Sequence, residues 1–235
     1  SMTASNEIAT KTPDTLLSGN TTVSIIKSCV PSIKDPWQIP MVDIYTILSV
    51  IRMASYGGSI SATNTCTECS EENTYAVDIQ NMLSHFAKGT FEDSIVVESM
   101  KFHLRPLTFK ELNEINKQNF KHQRALLQSI PAITDETLRG EESQKVYSAL
   151  SELRKNTVIS SIAKIEVDNE QEDNLQEIAK FIENADKEFF VKVEQAVMRN
   201  NEQFIVPETD ITCSNCGHKS KLNIDLDYSN FFAQG

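Results

Sequence analysis

Two Cys-x-x-Cys segments near opposite ends of the chain restrict its fold more than anything else in the sequence. The first runs Thr65-Cys66-Thr67-Glu68-Cys69 and the second Thr212-Cys213-Ser214-Asn215-Cys216. Behind each lies a short alternating stretch that reaches an acid at the same distance. It passes through Tyr75 and Val77 to Asp78 in one copy, and through Leu222 and Ile224 to Asp225 in the other. Four of the five cysteines belong to these copies. Two intervening residues form a knuckle that aims both sulfurs at one point, and four thiolates on two knuckles make a tetrahedral metal site. Cys66, Cys69, Cys213 and Cys216 are therefore the expected ligands of one structural Zn2+ ion, with two free dithiols or two half-sites shared between subunits as the alternatives.

The knuckles of a zinc ribbon are usually about 15–20 residues apart, whereas residues 70–212 intervene here. Magnitudes still favour their meeting. Lengthening a flexible loop that far costs only roughly 2 kcal/mol of closure entropy. Structural zinc is worth about 10–16 kcal/mol in finger peptides. An insertion that folds by itself is thus tolerable. Gly217 follows the second knuckle, where a left-handed backbone is often needed; Ser70 stands at the matching place in the first, which predicts a less regular turn there. His218 is expected beside the site and not in it, because four sulfurs fill a tetrahedron. Cys29 stands alone and reads as a free thiol, and His85, His103 and His122 have no ligand spacing.

A net charge of −11 argues against a phosphate-backbone binder, whose footprint is a basic face. No run of about 18 apolar residues is present, so no membrane span is expected, and no signal peptide is visible. Paired cysteines without a secretory signal favour metal over disulfides. There is no Gly-x-Ser-x-Gly, phosphate-binding loop or His-Glu-x-x-His. Asp78 and Asp225 read as strand-end caps or turn residues and not as a catalytic carboxylate pair; Arg105 reads as the partner of a nearby acid within the fold, with an acidic binding partner as the alternative.

Along the chain, residues 1–35 are polar without periodicity and read as a flexible N-terminal arm. Ile44, Ile47, Leu48 and Ile51 then repeat at helical spacing until Gly57-Gly58. A strand is expected at 74–78, a short helix at 79–86 and one strand over 95–104, with Met100, Phe102 and Leu104 on one face. Thr108 and Glu111 form a capping box, with Leu107 and Leu112 placed as a hydrophobic staple, for a helix that runs to Pro131. Residues 133–200 read as almost entirely helical, with 160–167 extending a helix or turning, and with the acidic run 166–174 as a solvated break. Further helices are expected from Leu175 and over 187–198. The expected fold class is α+β and predominantly helical. A discontinuous zinc-ribbon-like unit (36–107 and 202–235) carries an inserted helical region (108–201).

Several segments together resemble one family. They are the run 47–57 ending Arg-Met-Ala-Ser-Tyr-Gly, the first knuckle with Val77-Asp78, and Leu104-Arg105-Pro106-Leu107-Thr108. The fourth is the Cys-x-x-Cys-Gly-His end, followed by Asp227-Tyr228-Ser229-Asn230-Phe231-Phe232. This chain is similar to the baseplate hub assembly proteins of T-even-like contractile-tail bacteriophages. The resemblance implies a non-enzymatic tail or baseplate role with hub and tail proteins as partners, in the host cytoplasm during assembly or in the virion baseplate. It carries over no catalytic residues. A nucleic-acid-binding or transcription-related zinc ribbon is the alternative, against which the acidic charge counts. A dithiol oxidoreductase is a third reading, disfavoured because each cysteine pair opens a strand and not a helix. The expected contact region is the insertion, with Phe231-Phe232 as a rival.

Overall fold

Ile44, Leu48 and Ile51 fall on one side of a helix because their spacing puts them there, and that side is buried. The structure, a computed structural model, describes residues 19–168 and 170–224. The chain divides into two units, residues 1–90 with 203–235, and residues 91–202.

The first unit opens with helix α1 (Asn20–Cys29), whose Ile25 and Ile26 are completely buried. This corrects the expectation of an arm reaching residue 35; residues 1–18 lie outside the described residues. The helix escaped the pattern because two of its inward positions are Thr21 and Thr22, which read as polar surface. Helix α2 (Met41–Tyr56) follows and ends at Gly57. Inside it, Arg52 is buried; its guanidinium lies 4.7 Å from the Tyr56 ring centre and donates to the Ser59 carbonyl. Strands β1 (Ser59–Thr65) and β2 (Glu72–Asp78) pair antiparallel, Thr65 opposite Glu72, so the first knuckle is the hairpin loop. Asp78 then caps α3 (Ile79–Phe86), its carboxylate accepting from the Gln80 N–H at 2.8 Å. That is the capping role expected of it. The unit closes with β7 (Thr209–Thr212) and β8 (Lys219–Leu222), joined by the second knuckle.

In the second unit, β3 (Ser94–Val97), β4 (Met100–Leu104), β5 (Ile162–Val167) and β6 (Glu170–Glu172) form one antiparallel sheet in that order. The single strand expected at 95–104 is thus a hairpin. Its two-residue turn is Glu98-Ser99, with Glu98 at φ 58°. Such turns usually announce themselves with glycine or asparagine, and this one does not. Residues 162–172 likewise form a hairpin, not helix and solvated break. Leu104 faces Ile162 and Phe102 faces Ile165, with an irregularity between them. This pairing places residues 91–107 in the second unit, where the sequence reading had given them to the first.

Helices α4 (Phe109–Arg124), α5 (Glu136–Ser160), α6 (Leu175–Asn184) and α7 (Lys187–Glu202) complete this unit, with a π-helical turn (Ala125–Ser129) after α4. The capping box is present: Glu111 N–H donates to Thr108 Oγ1 and Thr108 N–H to Glu111 Oε2. Arg105 grips the same carboxylate through two bonds of 2.7 and 3.0 Å. Those bonds lead the causes that hold the Glu111 carboxyl at about 2. Phe102, Ile162, Ile178, Ile182, Phe189 and Val193 form the core between sheet and helices. Phe102, Phe181 and Phe189 meet at ring distances of 5.7–6.5 Å. The buried carboxylate of Glu194 on α7 is paired with Arg154 of α5. The architecture is mixed α/β with helix predominating and small sheets. No helix among the described residues is long and apolar enough to cross a membrane.

Candidate metal centre

Each knuckle is built by the same two backbone hydrogen bonds. The Cys66 N–H donates to the Glu71 carbonyl and the Ser70 N–H to that of Cys66. The Cys213 N–H donates to the His218 carbonyl and the Gly217 N–H to that of Cys213. The fourth residue after the first cysteine is left-handed in both, Ser70 at φ 58° and Gly217 at φ 73°. Ser70 therefore follows the regular turn in spite of its side chain, contrary to the irregularity expected there. The strand pairs Thr65–Glu72 and Thr212–Lys219 close the two loops identically.

The hairpins meet sulfur to sulfur. Cys66 Sγ lies 3.6 Å from Cys216 Sγ, and Cys69 Sγ lies 3.6 Å from Cys213 Sγ. The first cysteine of each knuckle thus faces the second of the other, the crossing a local two-fold axis would produce. All four sulfurs lie within 4.8 Å of one another. A tetrahedral ion with metal–sulfur bonds of about 2.3 Å needs sulfurs about 3.8 Å apart, while a disulfide needs about 2.05 Å. The four thiols are free, and their spacing is that of a metal cage. Cys66 and Cys213 are buried, Cys69 is half-buried and Cys216 is exposed.

Charge supports the same reading. N–H groups of Cys216 and Asn215 and the Asn73 side chain lower the Cys213 thiol to about 6. At Cys216 the His218 N–H acts to lower the value. The neighbouring sulfurs and burial outweigh it, pushing this thiol up to about 12. Four sulfurs this close cannot all ionise by themselves, since like charges oppose each other. A divalent cation removes that opposition, so the donor set fits one.

Asn73 was not singled out by its sequence. It is buried; its Nδ2 donates to Cys213 Sγ at 3.4 Å and to the Glu71 carbonyl. Its Oδ1 accepts from Ser214 N–H at 2.9 Å and Ser214 Oγ at 2.6 Å. One amide therefore ties the first hairpin to the second knuckle. Ser220 occupies the matching place in the second copy, so no repeat marked Asn73 out. Tyr75 adds a second tie, its hydroxyl donating to the Thr212 carbonyl. His218 contributes its carbonyl to the turn and stands outside the four-sulfur group. Cys29 also lies outside it, at the end of α1. Asp225 and the segment 227–232 fall outside the described residues.

A family model described as T4 bacteriophage base plate protein matches residues 2–233. The chain belongs to that family. No curated protein and no solved structure matches it. The match to the base plate family spans both units, and so takes in the cysteine site and the sheet of the second unit alike.

Proposed function

We propose that this base plate protein acts by binding other tail components, as a non-enzymatic structural or assembly protein of the baseplate hub. In this reading Cys66, Cys69, Cys213 and Cys216 hold a structural zinc ion in a discontinuous zinc-ribbon-like unit. When bound, zinc supplies a cross-link between the two hairpins. With four thiolates it keeps no open position for a substrate. The observation that carries the proposal is the family match over 2–233, joined to a metal-type site closed by four sulfurs.

The preferred contact region is the α4–α5 part of the helical segment. Phe120, Leu127, Leu138 and Tyr147 are exposed there, Leu127 most of all at 77%. These side chains offer apolar surface to a partner. The protein would work in the host cytoplasm during assembly or remain in the virion tail.

Pull-down of tail and hub proteins from the source phage tests the proposal. The full-length protein is expected to retain at least one, and Leu127→Glu with Phe120→Glu to lose it while keeping its melting temperature. Retention of no tail component defeats the proposal. Retention unchanged by the double variant moves the interface away from α4. Elemental analysis should find one zinc per chain in protein purified without chelator, and far less would defeat the zinc assignment.

A further inference from the structure

Among the described residues no strand pairs with either edge of the four-stranded sheet, and the two edges are of opposite character. Edge β3 is Ser94-Ile95-Val96-Val97, uncharged, without proline, and with Val96 69% exposed. Proteins commonly protect edge strands with lysine, proline or bulges, and β3 has none. Beside it lies a groove of about 420 Å³ between β3 and α7, rimmed by Lys192, Gln195 and Arg199. Lys192 pairs with Glu188 at 3.0 Å, whereas Arg199 has no ion pair among the described residues. Glu98 is the one acid lining the groove. The other edge, β6, is Glu170-Gln171-Glu172, exposed throughout and flanked by Asp168 and Asp173.

The hydrogen-bonding direction of each edge follows from its register. Leu104 N–H donates to the Asp93 carbonyl, so residues 93, 95 and 97 turn their backbone groups towards β4. Antiparallel alternation then turns those of Ser94 and Val96 outward. In the β5–β6 hairpin Val167, the last residue of β5, pairs with Glu170, the first of β6; Glu170 and Glu172 bond inward and Gln171 outward. The sheet has four antiparallel strands, so β3 and β6 run in opposite directions. The β6 edge of one molecule can therefore meet the β3 edge of another and continue the antiparallel order.

From these edges we infer that a second copy of this chain docks on β3 through its own β6, head to tail. Charge decides the mode. Two β3 edges would bring Lys192 and Arg199 against their counterparts, and two β6 edges would oppose glutamates. Only the β3–β6 pairing sets acid beside base, and opposite charges across strands favour pairing where like charges oppose it. Head-to-tail contacts leave one edge free at each end and so propagate into rings or filaments. The strands are short, so the contact is weak in dilute solution and gains strength where copies are held close together.

Sedimentation velocity of the full-length protein over a wide concentration range tests this. Wild type is expected to show a reversible rise in mass with concentration. Val96→Pro, which removes the outward N–H of β3, should abolish it. E170K and R199E should each weaken it about fivefold or more. Mixing E170K with R199E should restore it, because the reversed β6 of one then faces the reversed rim of the other. Melting curves confirm that the variants fold; Glu170 and Arg199 are both exposed. A wild type that stays monomeric overturns the inference and leaves the β3 edge to a different protein. Association that survives Val96→Pro, or that mixing does not restore, also overturns it.

Discussion

The two units solve the same problem with different means. In the first, the sheets are two separate two-stranded hairpins, an arrangement marginal in water by itself. Four sulfurs, Asn73 and Tyr75 join them across about 140–150 residues of sequence. In the second, a four-stranded sheet buries Phe102, Ile162 and Ile165 against Ile178, Ile182, Phe189 and Val193. The first unit adds to its own buried residues, Ile25, Ile44, Leu48 and Met82 among them, a few directional contacts that join its hairpins, whereas the sheet of the second is held by area removed from water. The difference teaches where each sheet is vulnerable: the first to loss of one cysteine, the second to loss of volume.

The sharpest test removes a sulfur. On the zinc proposal, Cys213→Ser should cost on the order of 5 kcal/mol or more in the first unit, because metal binding and folding are linked. Hydrogen exchange should show β1, β2, β7 and β8 losing protection while β4 and β5 keep theirs. Equal loss in both units would erase the contrast. Next comes the converse. Phe102→Ala should cost about 3–5 kcal/mol through a buried cavity, yet leave the metal content per folded chain unchanged. A fall in zinc stoichiometry in folded protein would refute separate dependence.

A smaller effect concerns pH. Arg105 holds the Glu111 carboxyl at about 2, from its ordinary 4.5. A depressed carboxylate stabilises the fold fully above the unfolded value and loses that contribution as pH falls from 4.5 through 2. Glu111 is about one-third exposed, so solvent screening limits the pair to about 1 kcal/mol. Glu111→Gln should therefore melt lower than wild type at pH 7, and the gap should narrow steadily below pH 4.5. A gap independent of pH would show that the ion pair contributes nothing.

The smallest effect compares the hairpins with each other. Ser70 holds the left-handed backbone that Gly217 adopts in the other knuckle, at a cost that glycine avoids. Ser70→Gly should raise stability by up to about 1 kcal/mol, and Gly217→Ala should lower it by a similar amount. Thermal melts of the protein read both. A Ser70→Gly variant that is less stable, or a Gly217→Ala variant that is more stable, would mean that the two turns are not equivalent.

Much of this was legible from residue order alone. The knuckle spacing marked out the four cysteines, the 3–4 repeat gave α2, and Thr108 with Glu111 gave the start of α4. Each of these is a local signal, carried by neighbours within a few positions. Asp78 as a helix cap and Arg105 as the partner of a nearby acid are local for the same reason.

Other features depended on contacts that no short window contains. Helix α1 was hidden because Thr21 and Thr22 are buried only by what packs around them. The turn at Glu98-Ser99 has neither glycine nor asparagine, and the sheet emerges only when β4 pairs with β5. That same pairing moved the unit boundary from residue 107 to residue 90. The sequence by itself determined which thiols have the spacing for a metal and where α2 and α4 coil. Tertiary structure alone decided that Cys66 faces Cys216, that Asn73 bridges the two hairpins, and that one sheet carries an apolar and an acidic edge. The physical reason is range: capping and periodicity act over one or two turns, whereas sulfur geometry and strand order are set by residues scores of positions apart.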